Sequence, residues 1–268
     1  MKNYLTKMLK YIPRKIKKKI IAEIKTEMIT EITGIKTTNF KRYFLVNKFL
    51  IKRCTEILSG VEFVGQELQD MYAYLYFNGK KDGFFIDIGA YDGITISNTY
   101  AFENIGWKGI CVEPVQEIYQ KLINNRKCDC VNAAVYSEES ELELIQTRGG
   151  RSGFIRNMSK SMIKEAEKEG IINKYTISTI SFESLIKKYN IEYIDFLSID
   201  VEGSEPEVLE SIDFNKYKFG LITIENNHGE RITKYMYTKG YKLFLDLGVD
   251  LFFIPQNIEI GKYWWIDP

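Results

Sequence analysis

Long apolar runs and cysteine are scarce in this chain of 268 residues, and its net charge is only +1. No stretch approaches the roughly 20 consecutive apolar residues that cross a bilayer, so no membrane span is predicted. The near-neutral charge provides no general attraction for nucleic acid. The N-terminus lacks the apolar segment of a signal peptide, and we expect a cytoplasmic protein. The cysteines lack zinc-finger spacing and are interpreted as reduced thiols: Cys54, Cys111, Cys128 and Cys130.

Hydrophobic residues make up 45% of the chain and aromatic residues 14%, enough for a sizeable core. Helical periodicity dominates up to about residue 80. Strand and helix patterns alternate from residue 84 onward. We therefore predict a helical extension over residues 1–80 and an α/β domain over residues 81–268.

The first 20 residues are basic and contain no acid. Leu5, Met8, Leu9 and Ile12 recur at helical spacing, which predicts a helix with one apolar and one basic face. Such a helix either makes weak contact with an anionic membrane surface or packs on the domain with its basic face in solvent. The second interpretation is favoured.

The alternating region predicts a mostly parallel seven-stranded sheet with helices on both faces and an antiparallel ribbon at one edge. The predicted helices cover residues 95–106, 116–126, 181–190, 204–212 and 228–240, with helical content inside the loop 148–170. The predicted strands are 83–89, 108–114, 128–136, 141–146, 194–202, 218–226, 241–248 and 249–255.

The segment FFIDIGAYDG, residues 84–93, places polar residues and glycines where the first strand ends. Ligands bind at such strand ends in open α/β sheets. Gly89 lets a ligand approach the backbone, and Gly93 allows a tight turn. Asp87 can accept hydrogen bonds from an amine. A dinucleotide fingerprint would instead read G-x-G-x-x-G.

The next two strands complete a predicted cofactor site. Glu113 ends the second strand, where a carboxylate accepts hydrogen bonds from the hydroxyls of a ribose. The third strand offers Asn132, Ala133 and Ala134, which suit a flat adenine. An amine site, a ribose site and an adenine site in this order predict S-adenosylmethionine as the cofactor.

The segments from 83 to 114 and from 194 to 210 resemble the FkbM family of S-adenosylmethionine-dependent methyltransferases. The resemblance runs from about residue 65 to residue 255 and implies a Rossmann-like class I methyltransferase fold. It also implies methyl transfer to a hydroxyl oxygen, often on a glycan or a small metabolite. The family's D-x-E-G-x-E signature matches at Asp200, Glu202, Gly203 and Glu205. The cofactor residues predicted from the motifs and the resemblance are Asp87, Gly89, Ala90, Tyr91, Asp92, Gly93, Glu113, Pro114, Asn132 and Ala133.

Catalysis requires the acceptor oxygen to be aligned with the methyl group and its proton to be removed. Asp200 and Glu202 end the fourth strand of the main alternation, and Glu225 ends the next one. His228 follows and is a candidate base, although a lone histidine is more often a surface or packing residue. Glu205, together with the acids that follow it, is predicted to lie on a solvated helix face.

Three alternatives remain at this point. Asp200, Glu225 and Asn226 resemble in placement the metal site of catechol-type O-methyltransferases, so a divalent metal is considered but not favoured. A non-catalytic module that binds S-adenosylmethionine or a nucleotide, acting as a scaffold or subunit, would not need the acids beyond the cofactor site. An NAD-dependent sugar enzyme is disfavoured by the absent glycine fingerprint.

Overall fold

The computed structural model describes residues 60–148 and 152–259. The basic helix predicted within residues 1–20 lies outside this range, as do Cys54 and the helical patterns up to residue 59. Helices and strands are numbered below over the described residues.

Seven strands form the central sheet in the spatial order β10-β11-β9-β8-β1-β2-β3. β1, β2, β3, β8 and β9 are parallel, whereas β11 is antiparallel to both β9 and β10. This arrangement confirms the predicted class I methyltransferase fold with its antiparallel edge ribbon. The strands are β1 (Phe84–Ile88), β2 (Lys108–Val112), β3 (Asp129–Val131), β8 (Tyr193–Ile199), β9 (Lys218–Glu225), β10 (Tyr241–Asp246) and β11 (Asp250–Pro255).

A second sheet of four strands, in the order β4-β7-β5-β6, was not predicted. Its strands are β4 (Ala134–Val135), β5 (Glu141–Thr147), β6 (Gly153–Phe154) and β7 (Ile171–Ile180). The predicted strand 128–136 was wrong as a single element, because the chain leaves the central sheet after β3 and joins the second sheet at β4.

The helices connect the strands and cover the central sheet. They are α1 (Gln69–Tyr76), α2 (Tyr100–Asn104), α3 (Gln116–Asn125), α4 (Lys160–Glu169), α5 (Phe182–Ile186), α6 (Glu205–Glu210) and α7 (Glu230–Thr238). The predicted helix 95–106 was too long. It begins only at Tyr100, and Ile96, near the predicted start, adopts a φ of +53° that a right-handed helix cannot contain.

Residues 61–77 pack into the same apolar cluster as the central sheet. Phe63, Met71 and Tyr74 are buried with Phe85 and Phe102. The Gln69 amide also donates a 2.5 Å hydrogen bond to Asp250 at the start of β11. This packing joins the segment before β1 to β11, while the division at residue 80 stays a prediction.

Candidate functional site

The carboxyl ends of β1, β2, β8 and β9 meet at one edge of the central sheet, above a cavity of about 610 Å³. The parallel register explains this convergence, because Ile88 lies beside both Val112 and Ile199, so the residues that follow emerge together. The predicted site residues that line the cavity are Asp87, Gly89, Ala90, Tyr91, Glu113, Pro114, Ala133, Asp200, Glu202 and Glu225.

Gly89 lies directly after β1, against the backbone of Asp200 at the end of the parallel strand β8. Its φ is +90°, and a Cβ atom there would lie 1.7 Å from the backbone oxygen of Asp200. Its amide and that of Ala90 both donate to the carbonyl of Val112, at 3.0 and 2.9 Å. Glycine is therefore required both by the left-handed backbone and by the approach of the strand end.

Asp87 is buried at the cavity wall and belongs to a polar network. Its Oδ2 accepts a 2.6 Å hydrogen bond from the Thr99 hydroxyl. Arg126 donates to the same hydroxyl and pairs with Glu103 at 2.8 Å. Burial raises the pKa of Asp87, and the Thr99 hydrogen bond and the Arg126 charge partly oppose this shift. The sequence had given no indication of Arg126, which lies directly after α3 and donates to the carbonyl of Gly93 in residues 89–93, here called the cofactor loop.

Asp92 and Gly93 shape the loop but lie outside the cavity lining. Asp92 Oδ1 accepts hydrogen bonds from the amides of Ile94 and Thr95, at 3.0 and 2.7 Å. Gly93 has a φ of +82° and packs against Arg126 and Leu122, which leave no room for a Cβ atom. These two residues therefore support the cofactor loop from behind.

Glu113 lies at the end of β2 with both carboxylate oxygens directed to backbone amides. Oε1 accepts from Val115 at 2.8 Å, and Oε2 accepts from Tyr91 at 3.1 Å. Burial raises the pKa of Glu113 to about 7, and these two hydrogen bonds oppose the shift. Each oxygen keeps a further lone pair with which it could accept a ribose hydroxyl.

The predicted adenine residues divide between two roles. Ala133 and Ala134 line the cavity and provide close apolar walls. Asn132 is exposed, and its amide nitrogen donates to the carbonyls of Glu113 and Pro114, at 2.8 and 3.1 Å. Asn132 therefore fixes the turn after β2 and does not line the cavity.

Asp200, Glu202 and Glu225 form a carboxylate cluster at the carboxyl ends of β8 and β9. One oxygen from each lies within 4.8 Å of the others. The pKa of Asp200 is raised well above its usual value, and that of Glu225 is raised to about 12. Burial is the largest cause of both shifts, and repulsion from the neighbouring acids adds to it. Asn226 is not part of the cluster, because its side chain bonds to Gly248 and Gly229 in the adjoining loops.

His228 and Glu205 form an ion pair behind the carboxylate cluster. Glu205 was predicted to lie on a solvated helix face, and this was wrong, because it is fully buried. His228 Nε2 lies 3.2 Å from Glu205 Oε2, and Asn227 connects Glu205 to Glu225 through its amide nitrogen. His228 does not line the cavity.

Residues that sequence reasoning missed complete the cavity wall. Gln66 contributes from the segment before α1, and Asp250 contributes from the start of β11. The second sheet lines another side of the cavity through Leu144, Gly153 and Phe154, and its connecting segments add Ser152 and the acid Glu169 at the end of α4.

Comparison with known protein families identifies the chain. The model of the methyltransferase FkbM domain matches residues 87–243, which include the end of β1 and all three acids of the carboxylate cluster. The chain belongs to the FkbM methyltransferase family. This FkbM protein is therefore an S-adenosylmethionine-dependent methyltransferase, in agreement with the glycine cradle at Gly89, the carboxylate of Glu113 and the alanine wall.

Solved structures similar to this FkbM protein are distant in sequence. The METTL16 methyltransferase domain is 11% identical with a TM-score of 0.39, and the match covers 85% of this chain and 75% of that one. A precorrin-6y C5,15-methyltransferase from Geobacter metallireducens is 13% identical with a TM-score of 0.37, covering 70% and 86%. TrmK from M. capricolum, in complex with S-adenosylhomocysteine, is 12% identical with a TM-score of 0.36, covering 72% and 70%. Among curated protein sequences, no match is found.

No helix within residues 60–148 or 152–259 is both long and apolar enough to cross a membrane.

Proposed function

We propose that this FkbM methyltransferase methylates a hydroxyl oxygen of a glycan or a small metabolite. The observation that carries the proposal is the carboxylate cluster, which shares one cavity with the residues of the cofactor cradle. Carboxylates can orient a hydroxyl group and accept its proton, whereas a site that only bound the cofactor would gain nothing from three acids at one end.

S-adenosylmethionine supplies an activated methyl group when it is bound. Glu113 and the backbone around Gly89 would hold it, and Asp87 and Ala133 would contact its two ends. The carboxylate cluster would hold the acceptor hydroxyl in line with the methyl group. The raised pKa values favour the protonated forms of Asp200 and Glu225 near neutral pH, so only a member of the cluster that is ionised can accept the hydroxyl proton.

The charge of the cavity supports an acceptor that is neutral or cationic. The described residues that line it include seven acids, at positions 87, 113, 169, 200, 202, 225 and 250, and no Lys, Arg or His. Recognition of nucleic acid depends largely on basic side chains that contact phosphate groups. A sugar or another polyhydroxyl compound therefore fits this site better than RNA.

A methyl-transfer screen tests the proposed function. The protein is incubated with S-adenosylmethionine and panels of neutral glycans, amino sugars, hydroxylated small molecules and RNA, and formation of S-adenosylhomocysteine is measured. Mass spectrometry then locates the methyl group on the product. With an acceptor found, Asp200→Asn should lower turnover by about 100-fold or more while cofactor affinity changes much less.

Two outcomes would contradict the proposal. Methylation only at nitrogen or carbon, or only of RNA, would exclude a hydroxyl acceptor. Binding of S-adenosylmethionine without transfer to any acceptor, together with capture of a specific protein partner, would favour the alternative of a non-catalytic scaffold or subunit.

We also propose that residues 1–20 make weak contact with anionic membrane surfaces, which would place a cytoplasmic protein at the membrane periphery. The basic, amphipathic sequence supports this idea. Co-sedimentation with vesicles containing phosphatidylserine should decrease as salt is raised, because charges separated by more than about 10 Å are screened at 0.1 M ionic strength. A chain that begins at residue 30 should sediment less; equal sedimentation of both chains would contradict the proposal.

A further inference from the structure

Three free thiols, Cys111, Cys128 and Cys130, share one apolar cluster outside the cavity lining. Cys111 and Cys130 are register partners in the parallel strands β2 and β3, and Cys128 comes one residue before β3. The Sγ atoms of Cys111 and Cys128 are 3.5 Å apart. Two sulfurs in a disulfide lie about 2.05 Å apart, so this pair needs to close by only about 1.5 Å to form a bond.

Cys128 is the thiol of this pair that an oxidant can reach. It is half-buried, whereas Cys111 is completely buried within β2. A hydrogen bond with Cys111 lowers the pKa of Cys128; Cys130 and the charge of Arg126 act in the same direction, and burial opposes them. Burial raises the pKa of the Cys111 thiol. Because oxidants react with the thiolate, Cys128 is suited to react first and Cys111 to react with the oxidised product.

Both thiols adjoin residues that support the cofactor loop. Glu103 accepts a hydrogen bond from the Cys128 amide and pairs with Arg126 at 2.8 Å. Arg126 in turn donates to the cofactor loop at 3.1 Å. On the neighbouring strand, Cys111 is the register partner of Asp87, which lines the cavity. Movement of either sulfur therefore acts on residues that position the loop.

We propose that Cys111 and Cys128 form a reversible disulfide that weakens cofactor binding. The Cys128 thiolate attacks one oxygen of a peroxide, the O–O bond breaks, hydroxide leaves, and a sulfenic acid forms. The Cys111 thiol then attacks the Cys128 sulfur, and the S–O bond breaks. The hydroxyl group leaves with the Cys111 proton as water. A dithiol reductant restores both thiols by exchange and is itself oxidised to a disulfide.

The disulfide acts on the cofactor loop through Glu103 and Arg126. Closing the gap between the sulfurs shifts the Cys128 amide that Glu103 accepts, and Arg126 then loses part of its support. Disulfides of this kind in reducing compartments are usually transient and serve as redox sensors. The switch concerns cofactor binding alone, so it does not depend on the identity of the methyl acceptor.

Oxidation of the full-length protein tests the proposal. The protein is treated with hydrogen peroxide and desalted, the disulfide is located by peptide mass spectrometry, and S-adenosylhomocysteine is titrated by calorimetry. We expect a disulfide between Cys111 and Cys128 and a loss of affinity of about tenfold or more, within the usual range of coupling between two sites. Dithiothreitol should restore the affinity. This recovery separates the disulfide from methionine oxidation, which needs a dedicated reductase.

Substitution of single cysteines assigns the effect. Cys128→Ser and Cys111→Ala should keep their affinity through peroxide treatment. Cys54→Ser and Cys130→Ser are the matched controls and should lose affinity as the wild-type protein does. Melting temperatures of the reduced variants identify any folding defect, and the half-buried position of Cys128 makes Cys128→Ser the milder of the two test substitutions.

Three results would each overturn the proposal. The first is oxidised wild-type protein that lacks a disulfide between Cys111 and Cys128. The second is oxidised protein that carries this disulfide and binds S-adenosylhomocysteine as tightly as the reduced protein. The third is Cys128→Ser that loses affinity on oxidation as the wild-type protein does.

Discussion

His228 Nε2 lies 3.2 Å from Glu205 Oε2 and 2.9 Å from the carbonyl oxygen of Gly203. Glu205 in turn accepts a hydrogen bond from the Gly203 amide at 2.9 Å. The histidine thus holds a buried acid that fixes the turn of Glu202, a non-glycine residue with a φ of +53°. This geometry favours a positioning role for His228 and leaves proton removal to the carboxylate cluster.

His228→Gln should preserve this role, because the glutamine amide can donate to Glu205 or to Gly203. His228→Ala leaves a buried carboxylate without its partner and should lower the free energy of unfolding by about 1–3 kcal/mol. Urea unfolding and methyl transfer by both variants provide the measurements. If His228→Gln loses turnover as severely as His228→Ala and alkaline pH restores it, His228 is the base.

The same pair predicts a pH window of stability. The pKa of His228 is raised, chiefly by its hydrogen bond to Glu205. The stabilisation that His228 provides is therefore complete below pH 6.5 and is lost as pH rises through the folded-state pKa. The pKa of Glu205 is lowered by its hydrogen bonds to His228 and Gly203, although burial opposes them. The stabilisation that Glu205 provides is therefore complete above pH 4.5. The stability advantage of wild type over His228→Gln should be greatest between about pH 4.5 and 6.5. An equal advantage at pH 5.5 and at pH 9 would contradict this assignment.

Glu113→Gln should weaken S-adenosylmethionine binding about ten- to a hundredfold, because an ionised acceptor is lost. With a pKa of about 7 in the wild-type protein, affinity should rise between pH 6 and pH 8 as Glu113 becomes ionised. Calorimetry at both pH values measures this, with exposed Glu141→Gln on β5 as a control. If Glu113→Gln binds S-adenosylmethionine as tightly as the wild-type protein, Glu113 is not the ribose ligand. The same conclusion follows if the affinity of Glu113→Gln changes with pH as that of the wild-type protein does.

Gly89→Ala should unfold the protein or abolish cofactor binding, whereas Gly240→Ala should cause only mild destabilisation. The two glycines share nearly the same φ, +90° and +87°, but nothing lies within 4 Å of a Cβ atom at Gly240. Their comparison therefore separates backbone strain from the close approach of Asp200. Circular dichroism and cofactor titration are the measurements. Equal effects of the two substitutions would show that the approach of the strands is unimportant.

Arg126→Met should lower the free energy of unfolding by about 3–5 kcal/mol, because it leaves the buried acid Asp87 and the partly buried acid Glu103 without their cation. Arg126→Lys should lose less, since it keeps the charge but not the planar fork that reaches both Glu103 and the Thr99 hydroxyl. Arg156→Met, at a half-exposed arginine, provides the control in chemical unfolding. A small loss in Arg126→Met would mean that the network contributes little.

Local patterns predicted the central sheet because its strands are short, buried and separated by turn residues. They failed for β7, although Tyr175 and Ile177 alternate with Thr176 and Ser178 and pack toward Val115 and Phe154. That period-two alternation was a usable signal, weakened because most of the strand is exposed or half-buried. The ends of β1 and β2 indicated the cofactor site for a similar local reason.

Long-range contacts explain what the sequence could not provide. An acid in the first turn of a helix is usually exposed, whereas Glu205 is buried and pairs with His228, which is distant in sequence. Arg126 reaches the cofactor loop from the end of α3, and Gln66 and Asp250 come from opposite ends of the described chain. No periodicity within one element records such contacts.

The position of β11 has a consequence for synthesis of the chain. Although it is the last of the described strands to leave the ribosome, it lies inside the sheet, between β9 and β10, and it provides the partner of Gln69. The nascent chain therefore exposes the apolar edge of β9 until residues 250–255 have emerged. Translation that stops before Asp250 should yield an aggregation-prone product, because an unpaired apolar edge strand can pair with other chains.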